Sequence, residues 1–343
     1  MTKNLAIGVD LGGTNLRIAA VDGQGTLVEK VTLGTKVSLG RDHVIDDMCR
    51  AIEQLLDKYK SATVAGIGIG VPGIIDMQSG LLRESPNLPG WADYPVQAEI
   101  ERRLKTRVIL ENDANAAAFG EKWLGAAKDF EDMAMLTLGT GVGGGLVQAG
   151  AIWRGMNGMA GEFGHTTVEP EGHPCKCGNH GCLEQYASAT AIVRMARETI
   201  AANPGSKLAR AAHEDAEFSS KSIYNLAIQG DEDARAIFRR VGWALGIVLS
   251  SMVNSLNLPI YVIGGGVSSA WEAFSPSIFK ELRWRSMVYA ATAPPDPQAA
   301  HSGASAQVAP GAGHKTIITR ALLGSDAGLY GAARLPMIPE KYR

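Results

Sequence analysis

The sequence predicts an α/β protein made of two similar halves. Three observations carry the prediction: strands alternate with helices along the chain, each half opens on an apolar strand that ends in a glycine/threonine loop, and the length suits two domains. The 343 residues amount to roughly two domains at about 150 residues each. A hydrophobic content of 45% with 20% charged residues is a globular balance and excludes a disordered chain. The net charge of -2 gives no cationic footprint for nucleic acid or an anionic membrane. Glycine is in excess, with 41 residues or about 12% of the chain. Without a Gly-X-Y period, this points to tight turns or to backbone brought close to ligands.

Leu5 to Asp10 is an apolar run broken by Gly12-Gly13; Leu16 to Val21 resumes the strand, and Asp22-Gly23-Gln24-Gly25 turns, so the start reads as a hairpin. His43 to Tyr59 sets Val44, Ile45, Met48, Ile52, Leu55 and Leu56 at helical spacing, and Val64 to Val71 is a buried strand. Val108 to Leu110 is a short strand leading through Glu111-Asn112-Asp113-Ala114-Asn115 into a helix that ends near Leu124. The second half repeats the opening. Met133 to Leu138 stops at Gly139-Thr140-Gly141 and Gly145 to Gln148 returns, so Asp10-Leu11-Gly12-Gly13-Thr14 aligns with Thr137-Leu138-Gly139-Thr140-Gly141. Val241 to Leu256 is a nearly all-apolar helix stopped by Asn257-Leu258-Pro259. Ile260 to Ile263 is a buried strand before Gly264-Gly265-Gly266, and a helix is expected from about Ser268. Residues 292–313 are rich in Ala, Pro, Gly and Ser with no apolar period and read as a surface loop or a partly disordered insertion, and a small-residue helix follows from about Ser325 to Ala333.

The N-terminus passes at once into the first strand without a signal-peptide pattern, and no segment approaches about 18 uninterrupted apolar residues. A soluble, cytoplasmic protein is expected. Four cysteines are too few for a disulfide scaffold, and three of them fall between Cys175 and Cys182.

Three glycine-rich loops each follow an apolar strand: Gly12-Gly13-Thr14, Gly139 to Gly145, and Gly264 to Gly266. Glycine lets backbone N–H groups converge on an anion, and threonine hydroxyls add donors, so phosphate binding is expected. None of the loops ends in the Gly-Lys-Ser/Thr of a P-loop, and none opens a dinucleotide-binding βα unit. Asp10 closes the first strand where a carboxylate can hold magnesium through water. Asp113 ends a strand at a helix N-terminus. It is placed either to cap that helix or to take a proton from a substrate hydroxyl. Cys175-Lys176-Cys177-Gly178-Asn179-His180-Gly181-Cys182 follows Gly161-Glu162-Phe163-Gly164-His165. Three thiolates and one imidazole make a closed tetrahedral zinc site of structural type. By proximity, His173 and His180 are alternative fourth ligands to His165.

The Asp10 to Asn15 start, Glu111 to Asn115, Gly139 to Gly145, Gly161-Glu162-x-Gly164-His165, the cysteine run through Glu184, and the 321–333 segment together resemble the ROK family of sugar kinases and repressors. The resemblance implies an actin-like, hexokinase-like (ribonuclease H-like) duplicated α/β fold, two domains around a cleft. Residues 1–115, completed by a C-terminal helix at 325–343, would form one domain. Residues 116–324 would form the larger one, with the zinc segment 165–182 and the loop 292–313.

It further implies an ATP-dependent hexose kinase with Asp113 as general base. Gly73, Asn87, Asn112, Glu162, His165 and Glu184 would contact the sugar. Asp10, Gly12, Gly13, Thr14, Asn15, Thr140, Gly141, Gly143 and Gly144 would serve magnesium and phosphates, and Gly264, Gly265 and Gly266 the adenosine. His165, Cys175, Cys177 and Cys182 would hold zinc, which disfavours His173 and His180, with the second His165 nitrogen turned to the sugar. Glucose phosphorylated at its 6-hydroxyl is the favoured substrate, with N-acetylmannosamine, N-acetylglucosamine or fructose as alternatives. A homodimer is expected by resemblance alone. The different-class alternative is a non-catalytic sugar-binding regulator, and a repressor would need a helix-turn-helix ahead of the first strand, which starts by Leu5.

Overall fold

The computed structural model describes residues 4–85, 87–294 and 315–339. The chain forms two compact units, one of Met1–Met135, Gly144–Gly161 and Leu322–Arg343, the other of Leu136–Gly143 and Glu162–Ala321.

In the first unit, the strands are β1 (Asn4–Leu11), β2 (Asn15–Asp22), β3 (Leu27–Gly34), β4 (Thr63–Val71), the short pair β5 (Ile74–Asp76) and β6 (Leu81–Glu84), and β7 (Val108–Asn112). The main sheet has the order β3-β2-β1-β4-β7. β1, β2 and β3 form an antiparallel meander, while β1, β4 and β7 run parallel. Helices α1 (Arg41–Lys58), α2 (Val96–Leu104) and α3 (Asp113–Leu124) punctuate the strands.

Strand alternation explains how the sheet is covered. Ile7, Val9 and Leu11 of β1 join Ile67, Ile69 and Val71 of β4 in one core, which the helical stripe Val44, Ile45, Met48, Ile52 and Leu55 and the α2 residues Val96, Ile100 and Leu104 complete. The intervening position Gly8 points the other way. A Cβ there would lie 2.4 Å from the Leu329 carbonyl oxygen, and one on Gly68 only 1.8 Å from that of Ala332. Glycine at these strand positions therefore lets a C-terminal helix lie directly on the sheet. Part of the glycine excess is thus a packing device as well as a loop device.

The remaining strands are β8 (Met133–Leu138), β9 (Val142–Gln148), β10 (Ala151–Ile152), β11 (Ile260–Gly264) and β12 (Ile317–Arg320). They form a second five-stranded sheet of order β10-β9-β8-β11-β12. The matching order in the two sheets, with an opening strand–loop–strand and later strands on the far side of the first, is the duplication the sequence predicts.

The remaining helices are α4 (Glu184–Ala187), α5 (Ala189–Ala202), α6 (Lys207–Glu214), α7 (Ser220–Ile228), α8 (Glu232–Leu256), α9 (Trp271–Arg285), α10 (Met287–Thr292) and α11 (Ala327–Arg334). The apolar run from Val241 turns out to be the second part of a longer helix. α8 begins at Glu232, where the Asp231 carboxylate caps the Ala234 N–H, and Ile237 and Phe238 are already buried in its polar first turns. It stops at Asn257 in the left-handed conformation, φ 48°. α8 is long and apolar enough to cross a membrane, yet 67% of its apolar window is buried within the protein, where it packs on α9, α7, α5 and α4.

The helix expected from Ser268 is preceded by a 3-10 turn, Gly266–Ala270, and starts as α9 at Trp271. The small-residue C-terminal helix is α11, followed by a 3-10 turn over Leu335–Met337 with Pro336 inside it. α10 ends at Thr292, the first residue of the 292–313 stretch, and residues 295–314 lie outside the described residues.

Candidate active site

The carboxyl ends of the parallel strands β1, β4 and β7 carry the polar residues of the first unit, the usual place for ligands in an open α/β sheet. Asp10 lies in register with Gly70, and Val71 with Asn112. Asp10 is largely buried, and burial pushes its carboxyl above the ordinary range despite the Arg17 guanidinium, which donates to it at 2.9 Å. No sequence motif marks Arg17, although it stands directly across the β1–β2 hairpin from Asp10. Hairpin register was the signal that would have found it.

The loop Gly12-Gly13-Thr14-Asn15 is fixed by Gly12 N–H to Asn15 O at 2.9 Å, Thr35 Oγ1 to Gly12 O at 2.6 Å and Thr35 N–H to Thr14 O at 3.0 Å. A Cβ on Gly13 would press on the Asn87 backbone, 3.2 Å from its oxygen, so the first glycine loop and Asn87 are neighbours. Gly73 has φ +129°, and a Cβ would fall 2.1 Å from the Glu84 carbonyl oxygen, so only glycine fits there. Its carbonyl accepts a hydrogen bond from Asn112 Nδ2 at 3.2 Å.

Asn112 is the N-cap of α3. Its Oδ1 accepts from the Ala114 and Asn115 N–H groups at 2.9 and 3.2 Å. The cap role weighed for Asp113 thus belongs to its neighbour, although Asp113 Oδ1 also accepts from the Ala114 N–H at 2.9 Å. Asp10, Gly12, Gly13, Gly73, Asn87, Asn112 and Asp113 are therefore brought together within the first unit.

In the second unit, β8 ends in the loop Gly139-Thr140-Gly141, pinned by the start of α5. The Ala189 N–H donates to Gly139 O at 2.8 Å, and Thr190 Oγ1 donates to Thr140 O at 2.8 Å. Glu184 Oε2 accepts the Val142 N–H at 3.0 Å, and a Cβ on Gly141 would meet that oxygen at 2.4 Å. Gly265, at φ +82°, lies against Leu138, with a Cβ only 2.4 Å from the Leu138 carbonyl oxygen. The loop after β11 therefore adjoins the loop after β8. Gly143 belongs to this unit, while Gly144 falls in the first, where its carbonyl packs on Gly161. Beside the Thr140 contact, a cavity of about 670 Å³ opens between α5 and the start of α7, lined by Thr190, Val193, Arg197, Ala201 and Phe218 among others. No motif in the sequence marks this wall, since it is assembled from two helices.

His165, Cys175, Cys177 and Cys182 place their ligand atoms within 4.8 Å of one another, a set that includes neither His173 nor His180. Zinc–sulfur bonds of about 2.3 Å at tetrahedral angles separate two sulfurs by roughly 3.8 Å. The 3.7 Å between Cys177 Sγ and Cys182 Sγ, and the 3.7 Å between Cys175 Sγ and His165 Nδ1, fit such an ion. The opposite ring nitrogen, His165 Nε2, lies 3.8 Å from Glu162 Oε2. A tight turn carries the first two thiols, with Cys175 N–H to Asn179 O at 2.8 Å and Gly178 N–H to Cys175 O at 3.0 Å. Hydrogen bonding at the Asn179 backbone pulls the Cys177 thiol down, whereas burial pushes Cys182 up to about 12. A bound cation would deprotonate both.

A family model described as the ROK family matches residues 6–336. A glucokinase of Halalkalibacterium halodurans is 36% identical over 98% of this chain and 96% of its own length. A glucokinase of Thermotoga maritima is 41% identical over 79% of this chain and 85% of its own. Among solved structures, a ROK family glucokinase from Streptomyces griseus in complex with glucose and AMPPNP superimposes with a TM-score of 0.76. It is 32% identical and the match covers 96% of this chain and 98% of that one.

Proposed function

We propose, starting from the fact that the chain belongs to the ROK family, that it is an ATP-dependent hexose kinase that phosphorylates the 6-hydroxyl of glucose. The observation that carries the reading is the Asn112–Asp113 turn. It presents a carboxylate at the N-terminus of α3, beside Gly73 and at the same sheet edge as Asp10 and its glycine loop.

Asp113 takes the proton of the sugar 6-hydroxyl as that oxygen bonds to the terminal phosphorus of ATP and the bond to the bridging oxygen breaks, releasing ADP. Gly73, Asn87, Asn112, Glu162, His165 and Glu184 orient the sugar, with Glu184 sharing its carboxylate between a sugar hydroxyl and the Val142 N–H. Phosphoryl transfer asks the protein mainly for alignment and charge stabilisation. Backbone N–H groups of the loops at Gly12 and at Thr140 supply the second, and Asp10 would hold Mg²⁺, which when bound neutralises phosphate charge. The cavity between α5 and α7 takes the adenosine, consistent with its position beside Thr140 and with the contact of α7 to the 3-10 turn after Gly265. His165, Cys175, Cys177 and Cys182 would hold a structural Zn²⁺, which fixes the His165 ring for its second contact.

The test is a coupled assay of hexoses and acetylated hexosamines against ATP, ADP and polyphosphate, with Asp113→Asn beside the wild type. Glucose with ATP is expected to give the highest kcat/KM. Asp113→Asn is expected to bind glucose while losing about 10²–10⁴-fold in kcat. A wild-type protein that binds sugar but turns over none of the panel would mark it as the sugar-responsive regulator instead.

A further inference from the structure

Glu111 stands one residue before the N-cap of α3 and is only 1% exposed. A carboxylate so deeply buried has to be paired and hydrogen-bonded. Its Oε1 accepts from the Asn112 N–H at 3.0 Å and from Asn115 Nδ2 at 3.1 Å. Its Oε2 accepts from Arg154, Nε at 2.8 Å and Nη2 at 2.5 Å. One oxygen thus grips the turn that carries Asp113, and the other is held by a guanidinium that reaches in from the segment after β10. Arg154 is itself fastened, since its carbonyl oxygen accepts the Ala160 N–H at 3.1 Å on the way to Gly161. Glu111 and Arg154 both belong to the first unit.

We propose that Arg154 is a positioning residue for phosphoryl transfer: through Glu111 it fixes the turn from Asn112 to Asn115 and so aims the Asp113 carboxylate. The proposal rests on the reading of Asp113 as general base. Without the guanidinium, Glu111 is left as a buried carboxylate that has lost its cationic partner and has to turn toward water. That movement loosens the hold of Oε1 on the Asn112 N–H and the Asn115 amide, two bonds that brace the capped turn from outside. A displacement of about 1 Å at a reacting group costs on the order of 10²-fold in rate. Arginine suits the task because two donors of its planar fork reach one carboxylate oxygen.

The experiment measures kcat by coupled assay, glucose affinity by calorimetry and the thermal midpoint for Arg154→Gln, Arg154→Lys, Asp113→Asn and the Asp113→Asn/Arg154→Gln double variant. Arg154→Gln is expected to lose about 10²-fold in kcat while its glucose Kd changes by less than about threefold. Arg154→Lys, which keeps the charge, is expected to recover part of that loss. In the Asp113→Asn background, Arg154→Gln should cost nothing further, because the group it aims is gone. Wild-type kcat in Arg154→Gln, a loss confined to glucose affinity, or full additivity with Asp113→Asn would each overturn the proposal while leaving the general base in place. High turnover in Asp113→Asn alone refutes the base itself. Should Arg154→Gln not fold, Glu111→Gln/Arg154→Gln removes both buried charges together, and it should still fall at least tenfold in kcat; wild-type kcat there overturns the proposal.

Discussion

Gly331→Ala puts a methyl group where α11 has no room for one. The new Cβ would lie 1.7 Å from the Ala116 carbonyl oxygen, 2.6 Å from the Ala116 carbonyl carbon and 2.8 Å from the Gly120 nitrogen. All three atoms are backbone, so no side chain can swing aside. The first distance is half the 3.4 Å at which ordinary contact begins, so α3 and α11 would have to part by about as much again. Overpacking of this kind costs about 1–3 kcal/mol, against about 1 kcal/mol returned by alanine over glycine in a helix. With three backbone atoms in the way the cost falls at the upper end of that range, so the net is a loss of about 2 kcal/mol, or roughly 4–8 °C in Tm for a unit of this size. Ala116 sits one turn beyond Asp113, so a shift of α3 should reach the proposed general base and lower kcat by about 10²-fold at a displacement near 1 Å. Calorimetric unfolding and the coupled glucose assay read the two effects. Gly205→Ala, where a Cβ meets nothing within 4 Å, is the control. A Gly331→Ala protein with wild-type Tm and wild-type kcat would refute the packing argument.

Cys177→Ser is expected to abolish stoichiometric zinc and to weaken glucose binding more than ATP binding, checked by elemental analysis and calorimetry; a metal-free variant with normal glucose affinity removes the orienting role of His165. Asp10→Asn should abolish turnover yet raise Tm at neutral pH, because the folded protein holds the Asp10 carboxyl above the ordinary value of 3.8 and so bears a cost once it ionises. That cost is absent below 3.8 and sets in as pH rises through the folded pKa, so the gain in Tm should vanish in melts run at progressively lower pH; a lower Tm at neutral pH would count against it.

The openings of both halves were legible because a strand, a glycine loop and a returning strand are local in sequence. The α1 stripe and the β1, β4 and β8 runs were legible because their apolar periods are strong. The C-terminal half of α8 could be read and its first turns could not, since Glu232 to Arg240 are mostly polar and only the capping Asp231 marks the start. In the candidate site, the motif residues Asp10, Gly12, Gly13, Gly73, Asn87, Asn112 and Asp113 can be read from the sequence and fall within one unit of the structure. Arg17 and Arg154 cannot, the first because its partner stands across a hairpin and the second because 43 residues separate it from Glu111. Glycines 8, 68 and 331 were counted as part of an excess, but nothing in their local sequence says that a helix will lie on them.

The cover that α11 forms over Gly8 and Gly68 comes from the far end of the described chain. Both strands leave the ribosome well before that helix does. At a synthesis rate of about 5–20 residues per second, the wait between β4 and α11 is roughly 13–50 s. Throughout it, the part of the first sheet around Gly8 and Gly68 lacks the helix that lies on it. That uncovered part of the nascent sheet would be a surface for chaperones to shield, and α3, on which α11 packs, gains its full set of neighbours only after translation has passed Arg334.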